Sequence, residues 1–137
     1  MIISTIRDLF ISRNDCYPVQ IDGKNEYTVA RRTLTDDVIL DHLDGSITIG
    51  CWQTDPISRT VKWLCFDFDG VLEEEFEKAK NLVGKLRGKG LHPVMEFSGR
   101  RGYHVWLFIK PIDIAATHTF VTNVASGPAT YTLRAER

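Results

Sequence analysis

Cysteine is scarce and unpatterned in this chain. Cys16, Cys51 and Cys65 are an odd number without CxxC spacing, so neither a disulfide framework nor a zinc cage is expected and reduced thiols are. No apolar run approaches the roughly 18 residues that span a bilayer. The first eight residues reach charge at Arg7 and Asp8 too soon for a signal peptide. A cytoplasmic protein with no membrane partner is the expectation. A surplus of either charge is also missing: 17 basic residues face 18 acidic ones, which excludes a globally basic nucleic-acid binder but not a local basic patch. Repeats, low-complexity segments and linkers are absent. What remains is an ordinary globular composition in 137 residues, enough for about one domain.

Charge is unevenly placed. Residues 67–77 carry six acids and no base, whereas residues 78–110 carry eight bases and one acid, Glu96. Helix grammar explains much of this. Phe76, Ala79, Leu82, Val83 and Leu86 repeat at helical spacing over residues 73–87, with acids in the first turn, bases in the last and Gly88 as a stop. Arg100 and Arg101 lie beyond that helix, in a turn, and are left unexplained by it.

The remaining punctuation gives an α+β order. Thr35-Asp36-Asp37 caps a short helix through Leu43, stopped by Asp44-Gly45. Residues 46–52 and 60–68 read as strands of a first hairpin, turning at Asp55-Pro56. Residues 93–98 and 103–109 read as strands of a second, around a Gly-rich turn at 99–102. The expected fold is therefore an antiparallel or mixed sheet of two hairpins with covering helices. Residues 117–133 are β-prone without a pattern.

Two stretches carry chemistry. In Cys65-Phe66-Asp67-Phe68-Asp69-Gly70, the carboxylates of Asp67 and Asp69 sit at i and i+2 of a strand and so share a face. A hard divalent cation would relieve their repulsion. Alone, such a pair equally describes two solvated aspartates at a strand end. The second stretch, Ser98-Gly99-Arg100-Arg101-Gly102-Tyr103-His104-Val105-Trp106, is more specific. Its glycines permit a tight turn with backbone N–H groups facing an anion, and two arginines there offer forked donors to phosphate. Ser98 and His104 would approach across the hairpin, with His104 on the face of Trp106 and Phe108. The plainer reading is a hairpin turn with surface arginines and a histidine at the core's edge.

Together these stretches resemble the archaeo-eukaryotic primase superfamily, the primase-polymerases. The segments Leu9-Phe10-Ile11-Ser12-Arg13-Asn14-Asp15, His42-Leu43-Asp44-Gly45 and Ile47-Thr48-Ile49-Gly50 are similar to its prokaryotic branch in mobile elements and conflict systems, the TOTE-type primases. The resemblance covers roughly residues 9–112. It implies a partial primase core with an RRM-like half in residues 1–112, followed by a divergent tail, truncated or disordered, over 113–137. By that resemblance Asp67 and Asp69 are catalytic and hold two Mg2+ or Mn2+ ions, while Ser98, Arg100, Arg101 and His104 bind the nucleotide triphosphate. The implied reaction is metal-dependent nucleotidyl transfer to a 3′-hydroxyl, with nucleoside triphosphates and a DNA template and primer as partners.

The family completes its metal site with a third carboxylate from a later strand. Here Asp113 follows the His104 strand too closely, and Glu136 sits in the terminal tail. A truncated or frame-altered domain with impaired catalysis is thus the expectation, and a remnant that binds nucleotide or nucleic acid without turnover is its alternative. A third reading rests on Phe66-Asp67-Phe68-Asp69-Gly70-Val71-Leu72, which also looks like the first motif of haloacid-dehalogenase phosphatases. There Asp67 would be the nucleophile and Asp69 the general acid, with Ser98 and Lys110-Pro111 mimicking the next two motifs. That motif normally opens its fold, however, and the family's paired-acid motif has no counterpart here.

Overall fold

A computed structural model describes residues 1–125. Within them the chain divides into two compact units, Met1–Thr60 and the residues from Val61 onward. No helix among the described residues is long and apolar enough to cross a membrane.

The first unit contains α1 (Ile2–Phe10), β1 (Tyr17–Gln20), β2 (Tyr27–Ala30) and α2 (Asp36–Leu43). Its core is Tyr17, Leu34 and Ile39, against which Ile3 and Ile6 of α1 and Val38 of α2 pack. Arg7 ties the ends of this unit together. Its guanidinium donates to Asp36 Oδ1 at 2.7 Å, to Asn14 Oδ1 at 3.0 Å and to the Leu34 carbonyl at 2.9 Å. The expected capping of α2 is present: Thr35 accepts from the Val38 N–H, and Gly45 takes a left-handed φ of 85° just past the helix. Hydrogen bonding from the Ser46 side chain, and then from its N–H at 2.8 Å, holds the Asp44 carboxyl below the usual aspartate pKa.

The expected first hairpin is differently paired. β1 and β2 form an antiparallel hairpin, Tyr17 opposite Ala30 and Gln20 opposite Tyr27. Residues 46–52 do not pair with 60–68. They run beside β1 through one bridge, Val19 to Ile49, flanked by Gln20 N–H to Thr48 O at 2.8 Å and Gly50 N–H to Pro18 O at 2.9 Å. The alternation of Ile47, Ile49 and Cys51 marks an extended segment with one apolar face; it carries no information on which neighbour supplies the hydrogen bonds.

The second unit is built on β3 (Thr60–Asp69), α3 (Leu72–Gly88), β4 (Val94–Phe97), β5 (Gly102–Asp113) and α4 (Ile114–Ala125). Its sheet has the order β3-β5-β4, and β4 pairs antiparallel with β5. One face of the sheet is apolar: Leu64, Phe66 and Phe68 of β3 and Val105 and Leu107 of β5 are buried with Ala79, Leu82 and Leu86 of α3 and with Val121 and Val124 of α4. Each Leu, Phe or Val among them contributes about 1.5–3 kcal/mol of transfer free energy. The other face carries Trp63, Cys65 and Asp67 on β3 and His104, Trp106 and Phe108 on β5, all only partly buried. On it Trp63 and Trp106 meet with ring centroids 5.5 Å apart, and Phe108 stacks on Trp106 at 6.2 Å.

Two boundaries differ from the sequence reading. Gly88 is the last helical residue of α3, and the left-handed residue that ends it is Gly90, with φ 78°. Residues 117–125, within the stretch read as β-prone, are helical as part of α4. Asp113 Oδ1 accepts the Ala115 N–H at 2.8 Å, and the hydroxyls of Thr117 and Thr122 donate to the carbonyls of Asp113 and His118, four residues back. Such back-bonding lets threonine sit in a helix despite its strand preference. Thr117, Val121 and Val124 then form the buried i, i+4, i+7 stripe. Residues 126–137, Glu136 among them, lie outside the described residues.

Candidate functional site

The apolar alternation of Leu64, Phe66 and Phe68 on the helix-covered face obliges Asp67 to the opposite one, and Asp69 follows it at the strand's end. The β4–β5 hairpin meets this end with its turn. The hairpin register places Phe97 opposite Tyr103 and Glu96 opposite His104, and the Ser98 N–H donates to the Gly102 carbonyl at 2.9 Å. Gly99, Arg100 and Arg101 are left as the connecting loop. Gly99 has φ 91°, a conformation that L-residues seldom adopt.

Gly102 lets β5 approach β3 closely, because a Cβ there would collide with the Phe68 carbonyl. That approach, together with the Gly70 N–H donating to the Arg101 carbonyl at 3.2 Å, docks the turn onto the carboxylate end of β3. Two side-chain contacts result. Arg101 Nη2 lies 2.9 Å from Asp69 Oδ2, and His104 Nε2 lies 3.6 Å from Asp67 Oδ1. The two chemistry-bearing stretches, thirty residues apart in sequence, therefore form one surface. Ser98 joins it through its backbone bond to Gly102, and Arg100 is exposed on the loop. Ser98 stands across from Gly102, two positions along β5 from His104, and so is the histidine's diagonal neighbour and not its direct cross-strand partner. The residue opposite is Glu96, whose Oε1 lies 2.9 Å from His104 Nδ1.

Glu96 is the residue the sequence reading passed over, as the single acid in a basic stretch. Counting back across the 98–102 turn would have paired it with His104. Cys65 lies between the chemistry and the aromatic face. Burial, with the charges of Asp67 and Glu96 adding to it, pushes its thiol up to about 12, so it stays protonated at neutral pH. The carboxylate of Asp113 is occupied at the start of α4, where it accepts from the Ala115 N–H.

Could these residues hold a divalent metal? Among the described residues, no three His, Cys, Asp or Glu side chains are arranged to share one ion. Mg2+, however, is commonly held by one or two carboxylates together with substrate phosphates rather than by an all-protein cage. Asp67 and Asp69 are half-exposed carboxylates beside a loop bearing two arginines, so this donor set fits an ion that arrives with a phosphate ligand.

The chain matches the family model described as the archaeo-eukaryotic primase domain of TOTE conflict systems over residues 2–131. A search of curated proteins returned no match to it.

Proposed function

As the chain belongs to the archaeo-eukaryotic primase family of TOTE conflict systems, we propose that its second unit binds a nucleoside triphosphate between the 98–102 turn and the end of β3, and transfers the nucleotide to a 3′-hydroxyl on a DNA template. The observation that carries this reading is the pair of contacts Asp69–Arg101 and Asp67–His104, which put carboxylates and phosphate-type donors on one surface. Arg100, Arg101 and His104 are the donors for the triphosphate, and Ser98 shapes the turn that presents them. Forked guanidinium donors suit the non-bridging oxygens of phosphate. Asp67 and Asp69 would hold Mg2+ or Mn2+, which when bound would supply neutralising charge to the reacting phosphate. The bond formed joins the 3′-oxygen to the α-phosphorus, and the hydroxyl proton is given up to water. The bond broken is that between the α-phosphorus and the bridging oxygen, and pyrophosphate leaves with the negative charge that Arg100, Arg101 and His104 offset.

A second reading is favoured by one observation: among the described residues no third carboxylate joins Asp67 and Asp69. It is binding of nucleotide without turnover. Primer extension by the full chain with Mg2+ or Mn2+ decides between them. Extension that disappears in Asp67→Ala and Asp69→Ala supports the transferase. Triphosphate binding that survives Asp67→Ala, fails in Arg100→Ala and Arg101→Ala, and brings no extension supports the binder. Absence of both sinks the site. Family membership favours either over the phosphatase reading, and a phosphorylated Asp67 would reverse that preference.

A further inference from the structure

We infer that Glu96, on a strand that the nucleotide reading leaves without a role, is a positioning residue for His104: it fixes which imidazole nitrogen faces the carboxylate end of β3. This rests on the proposed nucleotide site, and it concerns how that site is held in shape.

The contact follows from topology. Glu96 and His104 are directly opposed in the β4–β5 ladder, and opposed residues on one face of an antiparallel pair have Cβ atoms about 5 Å apart. The closing turn pins that register through the Ser98 to Gly102 hydrogen bond. An ionised carboxylate can only accept, so at 2.9 Å His104 Nδ1 must donate to Glu96 Oε1. That bond selects one of the two ring flips, and an imidazolium held in that flip donates from Nε2 as well, as a triphosphate donor must. Nε2 is thereby left toward β3, 3.6 Å from Asp67 Oδ1, where a ligand bridging the turn and the strand would meet it.

The ring is also held from a third side. Trp106, two residues along β5, meets the imidazole edge-on, with centroids 6.0 Å apart and planes at 85°. With Glu96 at one nitrogen and Trp106 against the ring, rotation about the Cβ–Cγ bond would forfeit a hydrogen bond and an aromatic contact together. A histidine ligand oriented through its other nitrogen by a carboxylate is a recurring device, and removal of the orienting partner commonly costs about tenfold or more in ligand affinity. Glu96 is half-exposed and β4 lies at the edge of the sheet, so substitution there leaves the core of Leu64, Phe66 and Leu82 untouched.

The test uses the full chain and a nucleoside triphosphate as probe. Glu96→Ala is expected to weaken triphosphate binding about tenfold, and Glu96→Gln, whose amide oxygen still accepts from Nδ1–H, to restore it to within about twofold. In a His104→Ala background, Glu96→Ala is expected to change nothing further. A glutamine variant as damaged as the alanine variant would mean that Glu96 acts through its charge, and would overturn the proposal. So would an Ala effect that persists without His104, or no Ala effect where His104→Ala has one.

A separate readout needs no nucleotide. The ring proton on His104 Nδ1 should appear in the wild type as a downfield, hydrogen-bonded resonance and be lost in Glu96→Ala. A wild type without a hydrogen-bonded proton on Nδ1 would refute the inference on its own. Failure of Arg101→Ala and His104→Ala to affect binding would instead sink the nucleotide site and leave this ring result standing.

Discussion

Arg101 Nη2 lies 2.9 Å from Asp69 Oδ2: a guanidinium assigned to phosphate is held by a carboxylate assigned to a cation. Each group neutralises the other in the ligand-free site, and phosphate and cation arriving together would replace one ion pair by two. The pair is solvent-exposed, so its own worth is about 1 kcal/mol or less. Asp69→Asn should therefore free Arg101 and tighten metal-free triphosphate binding by up to about fivefold, while abolishing any metal-dependent extension. Weaker metal-free binding in that variant would show that Asp69 orients Arg101 for the ligand instead of competing for it. Calorimetric titration with and without Mn2+ measures both.

The two glycines of the turn should not respond alike. Gly99→Ala meets open space and carries only the backbone penalty of φ 91°, about 1–2 kcal/mol. Gly102→Ala drives a methyl group into the Phe68 carbonyl, and overpacking of this kind adds about 1–3 kcal/mol with backbone displacement. The expected result is a lower melting temperature for Gly102→Ala together with lost triphosphate binding. Gly99→Ala should keep most of its stability.

Cys65 supplies a pH dependence whose sign is fixed. Its thiol is raised from 9.0 to about 12 in the folded protein, chiefly by burial. The folded state therefore holds this proton more tightly than the unfolded state does. Its share of stability is fully present below pH 9 and is lost as pH rises from 9 toward 12, by at most about 1.4 kcal/mol per unit. Urea midpoints of wild type and Cys65→Ser across that range should converge as pH rises. At pH 8 the thiol should react slowly with iodoacetamide, and faster in Asp67→Asn, which removes a charge that opposes the thiolate.

In the first unit, Arg7 bonds three partners with one planar group. Lysine keeps the charge but cannot span Asp36, Asn14 and the Leu34 carbonyl together. Arg7→Lys should lower stability by about 1–2 kcal/mol without altering triphosphate affinity. Thermal melts and titration separate the two effects.

Local grammar made much of this protein readable. The cap at Thr35, the 3.6-residue spacing of Ala79, Leu82 and Leu86, and the alternation of Leu64, Phe66 and Phe68 each depend on neighbours within a few positions. So does the turn at Gly99–Gly102. Pairing was less readable: Ile49 lies opposite Val19, thirty residues back, and nothing in the alternation of residues 46–52 names that partner. The helix α4 was masked because its threonines prefer strands, although Thr117, Val121 and Val124 already had helical spacing. Within the candidate site, Asp67, Asp69, Arg101 and His104 were found by residue type. Glu96 was missed because its place depends on register, which only the closed hairpin sets.

The strand order has a temporal consequence. β5 lies between β3 and β4 yet is made after both. As the polypeptide emerges from the ribosome, Asp67 and Asp69 appear more than thirty residues before Arg101 and His104. Until β5 inserts, the nascent acidic strand has no counter-charge from the turn, and the imidazole has no neighbours to steer it. Affinity for a nucleotide should thus be acquired in one late step of biogenesis, when the middle strand slots home.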